Sequence, residues 1–227
     1  MVMINNGIIS HNDNSINIVG NFGNIGNIIT NANNCKSRIF NHFDEKVSLD
    51  ARSAEKIVID SDVEVSMSAS NSSMATVHFY GQADIAEEAL WFDARIVEHE
   101  LRVQVKLIGD CYNSSLKLDI KVPYKTFKAI IADTTSADFS LHEGVSMESL
   151  RINTIAGDIK LKLYAAQNIE VGISTVSGNI EAAFSNMRFK TLYINSLSGT
   201  VRDCHKSENG YSANINISTT CGNITLY

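Results

Sequence analysis

The chain has 227 residues, of which 44% are hydrophobic and 19% charged, with a net charge of −6; that is enough apolar material to bury a core and excludes global disorder. The acidic balance excludes an electrostatic grip on phosphate backbones, which needs clustered Lys and Arg, so nucleic acid is not an expected partner. No stretch approaches the ~18 apolar residues of a membrane span.

Residues 1–35 form a segment of their own, rich in Asn, Gly and Ile. Eleven of the first 34 residues are Asn and one, Asp13, is charged. The opening residues lack a basic start and an apolar run of about 7–15 residues, so no secretory signal is read. The expected location is therefore the cytoplasm, with the cell surface reached only through a missing leader or unconventional export.

Residues 36–56 regain charge through Asp44, Glu45, Lys46, Asp50 and Arg52 and read as a connector with room for a short helix. From Ile57 an alternating pattern begins, in Ile57 and Ile59, then Val63, Val65 and Met67, then Val77 and Phe79. A period of two places these side chains on one face of a strand. Trp91 and Phe92 read as core anchors. Leu101, Val103, Val105 and Leu107 alternate with polar residues, as do Leu116, Leu118, Ile120 and Val122 after a turn over 109–114. The two strands are expected to pair as an antiparallel hairpin. Pro123, the sole proline, marks the entry to a repeat.

The repeat is Ile152-Asn-Thr-Ile-Ala-Gly157-Asp158-Ile159, then Ile173-Ser-Thr-Val-Ser-Gly178-Asn179-Ile180, Ile194-Asn-Ser-Leu-Ser-Gly199-Thr200-Val201, and Ile217-Ser-Thr-Thr-Cys-Gly222-Asn223-Ile224. The glycine spacings are 178 − 157 = 21, 199 − 178 = 21 and 222 − 199 = 23. A weaker copy at Ile131–Leu141 has Ala137 in the glycine position. A fixed period with strands at constant offsets predicts an all-β, single-stranded β-helix or solenoid over 57–227, with coils of about 21 residues, preceded by the hairpin region. Gly157, Asp158, Gly178, Asn179, Gly199, Thr200, Gly222 and Asn223 are expected to be structural repeat turns. The last coil, ending at Tyr227, is expected to leave an edge that a further copy or a partner covers.

The strand pair ending in Val122-Pro123 and the four phrases around Gly157, Gly178, Gly199 and Gly222 resemble the DUF4097 and DUF2807 group of bacterial adhesin-type repeat proteins. The resemblance implies a β-roll without enzyme activity. Residues 5–18 resemble the short amyloid-signalling motifs of the RHIM type, with His11 where a glycine is usual. High β-propensity, little charge and no proline suit such a stretch to stacking, and Ile8, Ile9, Asn14, Ile16, Ile18, Gly20 and Ile25 would form the assembly segment. The simpler expectation is that the segment adds strands as a cap or is a polar leader.

No catalytic motif occurs, and neither a cofactor nor a metal is expected. Cys35, Cys111, Cys204 and Cys221 are far apart and read as reduced thiols. Adjacent Cys204 and His205 would point to opposite faces of a strand, poor geometry for a nucleophile and its base. Glu98-His99-Glu100 and His142-Glu143 supply too few ligands for a metal. The sequence therefore points to a non-enzymatic repeat protein that presents a surface, with outward residues such as Lys160, Lys162, Glu170 and Glu181, for protein binding or self-association. The alternative is an intracellular adaptor assembled through its first segment.

Overall fold

Alternating side chains from Ile57 onward give nearly every strand one apolar face, and two such faces close on each other. The computed structural model describes residues 40–109, 114–204 and 209–227, apart from the Glu87 side chain. Of residues 1–39 it describes the strand backbones β1 (Val2–Ile4), β2 (Gly7–Asn12), β3 (Ser15–Val19), β4 (Ile28–Ile29) and β5 (Arg38–Ile39). β1, β2 and β3 pair antiparallel, as do β4 and β5.

The remaining strands are β6 (Asn41–Asp50), β7 (Lys56–Ser61), β8 (Glu64–Ser70), β9 (Met74–Ala83), β10 (Leu90–Val97), β11 (Glu100–Leu107), β12 (Lys117–Pro123), β13 (Thr126–Thr134), β14 (Phe139–Leu141), β15 (Ser146–Ala156) and β16 (Ile159–Tyr164). They continue with β17 (Ile169–Ser177), β18 (Ile180–Ser185), β19 (Met187–Ser198), β20 (Val201–Asp203), β21 (Tyr211–Cys221) and β22 (Ile224–Leu226). One sheet has the order β10-β11-β7-β13-β15-β17-β21-β19, the other β20-β22-β18-β16-β14-β8-β12-β9-β6. Each coil gives one strand to each sheet, and Ile57, Ile59, Leu118, Ile130, Phe139, Ile152, Ile159, Ile180 and Ile217 are buried in one core between them.

Two expectations are corrected. The chain is a pair of stacked sheets and not a single-stranded β-helix or solenoid wound in chain order. Coil β21/β22 inserts between β17/β18 and β19/β20, and coil β7/β8 lies between β11/β12 and β13/β14. At the other end β6, β9 and β10 join antiparallel. The repeat period reports that coils stack, but a period holds no record of which coils are neighbours in space.

The hairpin is likewise absent. β11 pairs with β7 and β10, while β12 lies in the facing sheet against β8 and β9. Alternation fixes which side of a strand is apolar, and two strands facing each other across a core satisfy that pattern as well as two bonded neighbours do. The tight hairpin is instead β10–β11, turned by Glu98 and His99 at φ of 49° and 67°. The stretch read as a connector supplies β6, an edge strand paired with β9.

Candidate binding surface

The repeat corners stack into a column in the spatial order Ala137, Gly157, Gly178, Gly222, Gly199. A Cβ on Gly157 would lie 2.2 Å from the Ala137 carbonyl oxygen, and one on Gly178 2.0 Å from that of Gly157. One on Gly222 would lie 2.0 Å from the Gly178 oxygen, and one on Gly199 1.9 Å from that of Gly222. Glycine is therefore required by the approach of the neighbouring backbone at all four corners, and at Gly157, Gly199 and Gly222 also by a positive φ of 152°, 158° and 152°.

A ladder of side chains runs beside this column. The Asp158 amide donates to Asp138 Oδ1 (2.8 Å), the Asn179 amide to Asp158 Oδ1 (2.8 Å), and the Asn223 amide to Asn179 Oδ1 (3.0 Å). The Thr200 amide donates to Asn223 Oδ1 (2.9 Å). Every member with a coil beyond it carries a side-chain oxygen for that coil's amide. Thr200, at the end of the stack, has a hydroxyl instead. All eight turn residues named from the sequence lie in this column and ladder, and their geometry is that of packing.

The end coil β19/β20 is where the stack stops. Among the described residues, β19 has β21 on one side and an open edge of twelve residues on the other. Its core-side Phe189, Leu192 and Ile194 are partly buried, and Val201 of β20, in register with buried Ile224, is 44% exposed. Leu197 is 79% and Tyr193 60% exposed. Phe189, Leu192, Ile194 and Val201 are left partly uncovered because no coil follows among the described residues, whereas Ile217 and Ile224, one coil inward, are fully covered; Tyr193 and Leu197 point outward, as the exposed Ile155 and Val176 of inner coils do. Arg188, Lys190 and Arg202 line the same end and form no ion pair among the described residues.

The opposite end carries different chemistry. Edge strands β6 and β10 bear Asp44, Glu45, Lys46, Asp50, Asp93 and Arg95. Glu45 stands in register with buried Phe79, so a charge occupies a core-side position on the edge. Phe92 stacks on Phe79 at 5.5 Å, as a core anchor does, but Trp91 is 57% exposed over a cleft of about 610 Å³ lined by Glu45, Phe43 and Asp93. Trp91 is thus a surface residue, contrary to expectation: it alternates with Phe92 on an edge strand and faces outward. On the outer face of the first sheet, a shallow depression of about 610 Å³ lies over Gly172, between Arg151 and Tyr193.

The ionisable residues elsewhere serve the fold. His99 Nδ1 contacts the Ser53 carbonyl at 3.0 Å, and the His99 carbonyl accepts from the Glu55 and Lys56 amides. His142 Nε2 meets Ser66 Oγ at 3.2 Å. Among the described residues no three His, Cys, Asp or Glu stand close enough to hold a metal. Cys204 and Cys221 are free and exposed, while Cys35, Cys111 and His205 lie outside the described residues. Ile8 and Ile9 fall on β2, Ile16 and Ile18 on β3, with Ile9 opposite Ile18. Asn14, Gly20 and Ile25 lie outside the described residues.

Two sheets of stacked repeats, cornered by glycine, define an all-β repeat protein. The chain belongs to the Toastrack DUF4097 family, whose model matches residues 54–227. No curated protein matches it in sequence.

Among solved structures it is similar to a candidate cell adhesion protein from Clostridium sporogenes ATCC 15579, at 14% identity and a TM-score of 0.64, over 82% of this chain and 98% of that one. Weaker likenesses are a candidate adhesin from Bacteroides fragilis NCTC 9343 (10% identity, TM-score 0.37, 82% and 97% covered) and one from Parabacteroides distasonis ATCC 8503 (9% identity, TM-score 0.34, 82% and 97% covered).

The description of the Clostridium sporogenes structure as a cell adhesion protein speaks against the cytoplasmic location expected from the opening residues, which is corrected accordingly. The family match leaves residues 1–53 outside, and nothing in the comparisons supports the resemblance of the first segment to RHIM-type motifs.

Proposed function

We propose that the protein acts by binding other protein strands at its uncovered end coil, in keeping with the adhesion role in the description of the Clostridium sporogenes structure. One observation carries the reading. Among the described residues β19 presents an open edge of twelve residues with the 79%-exposed Leu197 on its outer face, and its core-side Leu192 and Ile194 are only partly buried and Val201 is 44% exposed, where the next coil buries the paired Ile215, Ile217 and Ile224. An open edge offers backbone donors and acceptors, and the apolar side chains beside it select a strand with alternating pattern. Lys190 sits at a register shift between Phe189 and Thr191, which limits such pairing to the far part of the strand.

The test uses a labelled peptide with the sequence of β21, the strand that already pairs with β19 on its inner side. Fluorescence anisotropy with the full chain should show saturable binding, weakened at least tenfold by the double change Leu197→Glu and Val201→Glu. Absence of binding to the unaltered chain, or equal binding to the variant, removes the reading.

A further inference from the structure

Resting on that reading, we infer that a partner at the β19/β20 end is the β6/β10 end of a second copy of this chain, giving head-to-tail assembly. The two ends carry opposite charge. β19 and β20 hold Arg188, Lys190 and Arg202 against Asp203, three bases less one acid, for a net +2. β6 and β10 hold Asp44, Glu45, Asp50 and Asp93 against Lys46 and Arg95, with Arg52 paired to Asp50 just beyond β6, four acids less three bases, for a net −1. Two β19/β20 ends repel each other, as do two β6/β10 ends; unlike ends attract.

Strand geometry fits the same pairing. The first sheet ends in β10 on one side and β19 on the other, and the second in β6 and β20. A copy stacked in the same orientation brings its β19 to β10 and its β20 to β6, with the second sheet, of nine strands against eight, reaching one strand further at that end. β10 runs against the parallel set that includes β19, so that junction is antiparallel. β6 runs with the set that includes β20, since two antiparallel pairings, β12 with β9 and β9 with β6, restore the direction.

Apolar residues also meet apolar residues. Leu192, Ile194 and Val201 at one end, and Leu90, Phe92, Ala94 and Ile96 at the other, are the half-covered edges of one core. A junction of this kind joins different surfaces and does not close, so it yields a series of lengthening species and no defined dimer.

The experiment is sedimentation velocity on the full chain and two charge-inverted variants, Lys190→Glu with Arg202→Glu and Glu45→Lys with Asp93→Lys. These side chains lie on edge strands, and thermal melts within a few degrees of the unaltered chain confirm folding. The unaltered chain should show concentration-dependent growth that weakens about tenfold between about 0.05 and 0.5 M salt, as screening of exposed charges requires.

Each variant alone should be monomeric, because its two ends now share a sign, and an equimolar mixture of the two should associate again. A monomeric unaltered chain, growth that survives either inversion, or a mixture that stays monomeric overturns the inference. If the β21 peptide binds while the unaltered chain stays monomeric, this inference falls and the strand-binding reading stands. If neither binds, both fall.

Discussion

Gly178 and Gly172 stand on the same coil six residues apart, and their replacement by alanine should have opposite consequences. A Cβ at position 178 would lie 2.0 Å from the Gly157 carbonyl oxygen and 2.7 Å from its carbon, backbone atoms that no rotamer change can move. Cβ contacts essentially never fall below 3.0 Å, so the corner must retreat by about 3.0 − 2.0 = 1 Å. That retreat stretches the bond from the Gly157 amide to the Ser177 carbonyl (3.0 Å) and the bond from the Asn179 amide to Asp158 (2.8 Å) beyond useful length.

Two or three hydrogen bonds at about 1 kcal/mol each, with some residual strain, place the cost of Gly178→Ala at about 2–4 kcal/mol. At Gly172 a Cβ meets nothing within 4 Å. Gly172→Ala should be neutral or stabilise by up to about 1 kcal/mol, as removal of a strand glycine does. Urea denaturation of both variants measures the difference. If both changes cost less than about 1 kcal/mol, the close approach of the corners does not explain the glycines.

Three other outcomes follow from the same geometry. A chain ending at Gly210 loses β21 and β22, leaving β19 without its sheet neighbour, so hydrogen exchange should show rapid exchange over 187–203 while β13 and β15 stay protected; protection of β19 would contradict the insertion. Thr175 Oγ1 is buried without a partner, whereas Thr219 Oγ1 donates to the Gly178 carbonyl at 3.3 Å, so Thr175→Val should be neutral or stabilising and Thr219→Val should cost about 1 kcal/mol in thermal or urea melts.

Acid should weaken the fold. Hydrogen bonds from Arg52 hold Asp50 down to about 2, and those from Lys56 and Arg102 lower Glu100. Both carboxyl groups bind protons more weakly folded than unfolded. Their stabilisation is present above the ordinary carboxylate values and is lost as pH falls from there toward 2. Urea midpoints should drop across that window, and less steeply in Glu100→Gln, by a modest amount because these pairs are exposed.

The parts of the fold legible in the sequence were those set by short-range rules. Alternation gave the inward sets Leu101, Val103, Val105, Leu107 and Leu116, Leu118, Ile120, Val122, all of them buried except Leu107, which is partly buried. The glycines of the repeated phrases, Gly157, Gly178, Gly199 and Gly222, stack in one column. Strand partnership was not legible, because β11 and β12 show the same alternation whether they pair edge to edge or face each other across a core.

Coil order was hidden too, although the spacing of 23 between Gly199 and Gly222, against 21 elsewhere, coincides with the pair that exchange places. The end coil had no signature of its own: Leu192 and Ile194 read like any inward pair, and their exposure depends on what is not stacked beyond them. Trp91 likewise reads as a core residue until its strand is known to be an edge.

The insertion of β21/β22 beneath β19/β20 gives this chain a deadline as well as a shape. A stack wound in chain order could lock each turn as it left the ribosome, with the N-terminal part folding first. Here the β19/β20 turn emerges before the one it must rest on, and the slot between β17 and β19 is filled by strands made later, β21 and β22. Until Tyr211–Leu226 have emerged, one edge of β17 and both edges of β19 stay unpaired. The β21/β22 turn is therefore the latch that closes the turns made before it.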